Sequence, residues 1–321
     1  MSQGVSFIRV EEKDVPCRLD RFLKRRYPDL TQGFIQKALR TKQIRLNGKR
    51  AEAKTMLQAG DEVRMPPVAQ KTQVETKELS EKEIAFIKSL VIYKDADVIA
   101  LNKPEGLAVQ GGSGTTRHID GLLDGLRFGK DRPHLVHRLD KETSGVLILG
   151  RTPQATAFLT EAFRTKEAHK KYWALVAGEP SEEKGVIEAP LLKKNGKNGA
   201  ELVYVDSDGK PAVSAYQVLA SSQGVSWIEF SPKTGRTHQL RVHAAFLGCP
   251  ILGDEKYGRQ TLSLLKTLGL TKRMYLHAVY LKIPHPKGGF LKIFAPISNN
   301  LKNSFDFFGF RAKTKEETCQ T

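Results

Sequence analysis

The sequence predicts an α+β protein built from two folded units. Its 321 residues are long for one domain and ample for two, without help from metals or disulfides. The first 67 residues read as two short basic helices followed by an alternating strand. Past residue 91, short apolar strand patterns recur at 91–93, 98–102, 146–149, 172–177, 212–219 and 225–230, with a helical pattern at 154–163 among them.

Lys and Arg outnumber Asp and Glu by 52 to 35, a formal net charge of +17. Such an excess speaks to partners and not to fold, and the natural partner is a polyanion: RNA, DNA or an anionic membrane surface. Residues 1–67 hold 15 basic side chains against 8 acidic ones, so the charge is densest in the short first unit. The three cysteines, Cys17, Cys249 and Cys319, show no C-x-x-C spacing; neither a disulfide framework nor a zinc site is indicated, and a reducing compartment is expected. Residues 1–10 carry no secretory pattern, and the longest apolar runs fall far short of the ~20 residues that cross a bilayer. Cys319 lies one residue too near the end for a lipidation box. A soluble cytoplasmic protein with no membrane contact is the expectation.

In the first unit, Leu19, Phe22 and Leu23 share one helix face beside Arg21, Lys24, Arg25 and Arg26, and the helix should stop at Tyr27-Pro28. Thr31 is placed to cap a second helix that buries Phe34, Ile35, Ala38 and Leu39 and leaves Lys37 and Arg40 outside. Ile44-Arg45-Leu46 then enters an Asn47-Gly48 turn. Taken singly these charges describe a solvated helical face. In this order, Arg18 to Leu23, Ile35-Gln36-Lys37 and Leu46-Asn47-Gly48-Lys49 resemble the S4 (αL-type) RNA-binding domain, which implies RNA contacts from Lys37, Arg40 and Asn47. Gly33 departs from that pattern by loosening the first turn of the second helix.

Pro66-Pro67 and the charge-mixed stretch that follows mark residues 68–90 as a linker, with a short amphipathic piece around Ile84 to Leu90. Val91 to Asn102 reads as two strands about an acidic turn, leading into Lys103-Pro104-Glu105-Gly106. Gly111 to Gly114 lacks the Gly-Lys-Ser/Thr of a phosphate-binding loop; it reads as a flexible loop, and nucleotide hydrolysis is not expected.

His137-Arg138-Leu139-Asp140-Lys141-Glu142-Thr143-Ser144-Gly145 then precedes the apolar Val146 to Leu149. Alternation sends Arg138 and Asp140 to one side, and Thr143-Ser144-Gly145 supplies turn chemistry ahead of a buried strand. An isolated R-x-D is ordinarily a surface ion pair. The whole string, however, resembles the signature of the pseudouridine synthases of the ribosomal large-subunit type, in which this Asp is catalytic. The same resemblance takes in Lys103 to Gly106, Gly111 to Gly114, Tyr172, the string Thr234 to His243, Gly248 to Asp254 and Tyr257-Gly258, and is nearest to the C type of that family. Two histidines at 238 and 243 invite a metal, but no third ligand stands nearby, so no metal is expected. Lys193 to Gly199 reads as a basic hairpin tip.

The resemblance implies a mixed, mainly antiparallel central sheet flanked by helices over 91–312, with 1–67 as the S4 unit and 313–321 as a polar tail. It implies catalysis by Asp140, Tyr172 and Arg241, the last paired with Asp140, and a substrate site that includes His137, Arg138, Thr143, Arg236, His238 and Gln239. Arg138 would fill the space left by a flipped-out uridine. Substrate and product are isomers, so no cofactor is implied. The implied partner is large-subunit ribosomal RNA or an assembly intermediate carrying it, bound by a monomer. A non-enzymatic RNA-binding assembly protein and an RNA N-glycosylase are the competing readings.

Overall fold

The computed structural model describes residues 4–27, 30, 32–67, 78–112, 115–129, 131–195 and 201–311. The Thr31 cap, Ser113-Gly114, the hairpin tip at 196–199 and the tail lie outside them. The chain divides into two compact units, Met1–Glu78 and Leu79–Thr321.

The first unit holds β1 (Ser6–Arg9), β2 (Cys17–Arg18), α1 (Leu19–Arg26), α2 (Gln32–Arg40), β3 (Arg45–Leu46), β4 (Met56–Leu57) and β5 (Glu62–Met65). Leu19, Phe22 and Leu23 of α1 and Ile35, Ala38 and Leu39 of α2 are buried against Ile44, Val63 and Met65, as the helical spacing predicts. At the Asn-Gly turn both residues have positive φ, 50° and 73°, and Leu46 and Lys49 exchange both backbone hydrogen bonds. That is the two-residue hairpin turn whose twist matches its strands. The Asn47 amide has a structural task here. It donates to Asp61 Oδ1 at 2.7 Å and accepts from Glu62 N–H at 2.8 Å, while the residue stays exposed. Lys37 and Arg40 stand exposed on α2.

The second unit opens with α3 (Glu81–Ser89), which corrects the expected linker. Ser80 caps it reciprocally with Glu83, and Ile87 is buried among Leu122, Leu123 and Leu126. Then follow β6 (Val91–Lys94), β7 (Val98–Lys103), α4 (Ile119–Leu122), β8 (His134–Leu135), β9 (Ser144–Gly150), α5 (Pro153–Arg164), β10 (His169–Ala177), β11 (Lys184–Glu188), β12 (Leu191–Asn195), β13 (Glu201–Val205), β14 (Val213–Ser222), β15 (Val225–Pro232), α6 (Gln239–Phe246), α7 (Thr261–Thr267), β16 (Leu276–Pro284), β17 (Phe290–Phe294) and α8 (Asn299–Phe307). The main sheet runs β11-β14-β15-β10-β16-β9-β7-β6, with β17 on β16 and β8 on β9. Every pair in it is antiparallel except β9 with β16, which is the mixed, mainly antiparallel sheet expected.

Strand periodicity explains the sandwiching. Ile99, Leu101, Leu147 and Leu149 face Ile87 and Ile119, whereas Val98, Ala100, Val146 and Ile148 face Leu159 and Ala162 of α5. A strand buried on both sides reads as an unbroken apolar run, which is why Val146 to Leu149 shows no alternation. No helix among the described residues is long and apolar enough to cross a membrane.

Candidate active site

The loop from Arg138 to Thr143 is tied from beneath by a lysine. Lys103 ends β7 fully buried, and its ammonium donates to the carbonyls of Pro104 and Leu107 at 2.8 Å and of Lys141 at 3.0 Å. Burial pulls its pKa down to about 7 against the raising influence of Glu142, Asp140 and Glu105. Thr143 N–H closes the turn on the Asp140 carbonyl at 3.1 Å. Next to it Gly145, at φ +112°, lets β9 meet β16: a Cβ there would lie 2.2 Å from the Ala278 carbonyl oxygen.

The Asp140 side chain is 25% exposed and faces Arg241 Nη1 at 3.6 Å and His238 Nε2 at 3.9 Å. Both separations are longer than hydrogen bonds. Arg241 gives its two good bonds elsewhere, from Nε and Nη2 to Asp254, each 2.7 Å. The expected Arg241–Asp140 pair is therefore a loose contact beside a tight one, and Asp254 is a residue that sequence reasoning missed. Burial raises the Asp254 carboxyl, but the guanidinium and the N–H groups of Lys256 and Tyr257 more than reverse that and hold it below the usual range.

His238 precedes α6 with φ 54°, a left-handed conformation that a non-glycine residue adopts at a cost. Its Nδ1 lies 2.7 Å from Tyr257 Oη, which already accepts from Val203 N–H at 3.0 Å. That pattern assigns the phenol proton to Nδ1 and leaves the imidazole proton on Nε2, facing Asp140. Burial lowers the His238 pKa despite Asp140, so the ring is neutral.

Tyr172 on β10 lines the same cleft of about 520 Å³, together with Arg138, Asp140, Thr143, Arg236 and His238. Burial, and then the charge of Asp140, raise its phenol well above the ordinary value. A phenol held so high keeps its proton at neutral pH. Arg138 is exposed at the rim, and among the described residues no ion pair joins it to Asp140.

Two expected substrate residues have other duties. The Gln239 amide is saturated: Oε1 accepts from Thr234 Oγ1 and Arg236 N–H, and Nε2 donates to Val213 O and Ser214 Oγ. His137 Nε2 accepts from Ile148 N–H at 2.9 Å, and its ring stacks on Phe163 with centroids 4.4 Å apart. Gln239 thus shapes the cleft wall without a free polar atom, whereas the His137 ring lines the cleft with Nε2 engaged. His243 binds Ser214 Oγ and Ala189 O through its two nitrogens. Among the described residues only Asp95, Asp97 and His285 have metal-like spacing, and there Asp95 takes hydrogen bonds from Tyr93, His285 and two backbone N–H groups.

The chain is similar to proteins named ribosomal large subunit pseudouridine synthase C. That of Rickettsia typhi is 42% identical over 275 residues, spanning 82% of this chain and 88% of its own, and that of Salmonella typhimurium is 36% identical over 306 residues, spanning 93% and 95%. Residues 97–246 match the family model for RNA pseudouridylate synthase. The chain belongs to that family. Residues 17–63 match the S4 domain. The solved structure of human RNA pseudouridylate synthase domain containing 4 superposes with a TM-score of 0.62 at 31% identity, covering 73% of this chain and 99% of that one. Membership makes the chain an isomerase acting on RNA. The matched family span holds Arg138, Asp140, Tyr172, His238 and Arg241, and ends before Asp254 and Tyr257, which orient two of them.

Proposed function

We propose that the chain isomerises uridine to pseudouridine in large-subunit ribosomal RNA, in the cytoplasm, as a monomer without a cofactor or a membrane partner. The names of its relatives support that substrate, and the S4 unit supplies exposed cations for phosphates. The observation that carries the reading is the placement of Asp140. Its carboxylate lies in the cleft with the Arg241 guanidinium at 3.6 Å and the neutral His238 ring at 3.9 Å, both too far to occupy its lone pairs.

An ionised carboxylate suits chemistry at C1′, where the glycosidic bond breaks through an oxocarbenium-like centre. The freed uracil turns and bonds through C5, and the C5 proton leaves last. Tyr172 stacks on the base during that turn. Arg241, held by Asp254, keeps a positive charge at the carboxylate without closing on it. A uridine must leave its helix first, at a cost of a few kcal/mol, and Arg138 at the rim is placed to fill the gap.

The test is pseudouridine mapping of unmodified large-subunit RNA incubated with wild type and with Asp140→Asn. New pseudouridine with wild type and none with the variant, while RNA binding persists, is the expected result. Free uracil as product would favour a glycosylase, and tight binding by both proteins with no modification would favour an assembly factor.

A further inference from the structure

Of the seven Lys and Arg side chains that line the cleft, three have protein partners. Arg241 is bound to Asp254, Arg164 to Glu161, and Arg236 to the Pro211 carbonyl. Among the described residues Arg138, Lys166, Lys170 and Lys233 have none, and of these four Lys170 alone is not fully exposed. It lines the cleft half-buried, and no side chain or carbonyl among the described residues takes a hydrogen bond or ion pair from its ammonium. Its neighbour Lys171 points the other way, to Glu229 at 3.2 Å, where Trp173 Nε1 also donates. Alternation along β10 thus separates a satisfied pair, Lys171 and Trp173, from a cleft pair, Lys170 and Tyr172. The irregularity in the β10–β16 ladder at Lys171/Tyr172 puts the extra residue on β16, so β10 keeps its alternation.

A half-buried ammonium with no acceptor is destabilising unless a ligand supplies one. Burial lowers its pKa, with no neighbouring anion to raise it, and its charge helps keep His137 neutral. Two residues along a strand are about 7 Å apart, the reach from a base stacked on Tyr172 to a phosphodiester of its own nucleotide. We propose that Lys170 is the phosphate-binding lysine of this cleft, receiving a phosphodiester oxygen of the flipped uridine and so fixing C1′ over Asp140. This rests on the proposed uridine isomerisation.

The test uses a short RNA containing the mapped uridine, with neutral methylphosphonate placed in turn at its 5′ and 3′ phosphates, against wild type, Lys170→Met and Lys170→Arg. For wild type, one methylphosphonate position weakens binding about tenfold or more. Lys170→Met shows a similar loss on the natural RNA, no further loss on that analogue, and a salt dependence shallower by about one phosphate contact. Lys170→Arg retains most of the affinity. Because an unpaired buried charge is removed, Lys170→Met should melt no lower than wild type; Lys170→Gln carries the same cycle if the Met variant fails to fold. Additive losses, or a Met variant that binds and turns over like wild type, overturn the assignment. If wild type releases free uracil from this RNA instead of forming pseudouridine, yet the coupling to one phosphate persists, the reaction is wrong and the phosphate site stands.

Discussion

A guanidinium that gives two 2.7 Å hydrogen bonds to Asp254 has its plane fixed before it meets Asp140. Such forked, charge-assisted pairs are both strong and directional. Here they leave Nη1 alone to face the cleft. Buried pairs contribute little net stability, but breaking one strands a charge at a cost of about 3–5 kcal/mol. Asp254→Asn keeps the shape and removes the charge, so Arg241 should swing toward Asp140 and close the 3.6 Å gap. Turnover is then expected to fall about ten- to a hundredfold, with RNA affinity nearly unchanged, because a displaced carboxylate loses its line to C1′. Single-turnover rates at saturating enzyme read the first quantity and filter binding the second. Unchanged turnover would mean that Asp254 only supports the fold.

One step up in scale, the catalytic turn depends on β9 lying against β16. Their short parallel contact, Ser144 with His277 and Gly145 with Ala278, leaves no room for a side chain at 145. Gly145→Ala meets both a left-handed φ and a 2.2 Å approach to backbone, so it should cost ~3 kcal/mol or more. Urea unfolding measures it, and an unmoved midpoint would refute the account. The sequence makes the turn residues and the buried strand legible, because both are local. It hides the reason for the glycine, since His277 is 133 positions from Ser144. Lys103 is hidden likewise: its third acceptor, the Lys141 carbonyl, is 38 residues away. Arg241 and Asp254 share no periodic pattern across 13 residues, whereas Asp140, Tyr172 and Arg241 were identifiable because strings around them resemble a family. The helix at 81–89 shows in the sequence only as a short amphipathic piece within the linker, because Ile87 is its one fully buried residue amid charge.

Across the whole molecule, two histidines withdrawn from solvent, His277 fully and His137 in part, couple stability to pH. His277 accepts from Ser144 Oγ at Nδ1 and donates to the Ala295 carbonyl, while His137 accepts from Ile148 N–H. Burial depresses their pKa values to about 4 and about 3, so both stay neutral in the folded protein where the unfolded chain protonates near 6.5. Their contribution is fully present above pH 6.5 and is lost as pH falls toward those folded values. Each adds a slope of up to ~1.4 kcal/mol per pH unit across that window. The paired carboxylates, such as Asp254, act in the same sense but only near and below their ordinary value of 3.8. Self-repulsion of a chain at +17 also grows as acid is added. His137→Gln separates these causes. Its amide oxygen can accept from Ile148 N–H in place of Nε2, and it cannot protonate in the unfolded chain. Folded His137 is already neutral, so the substitution leaves the repulsion in the native state alone. Urea titrations at pH 7, 6, 5 and 4 should therefore give a stability-versus-pH slope shallower by up to one proton for the variant. Equal slopes would place the acid sensitivity in general charge repulsion instead of in this ring.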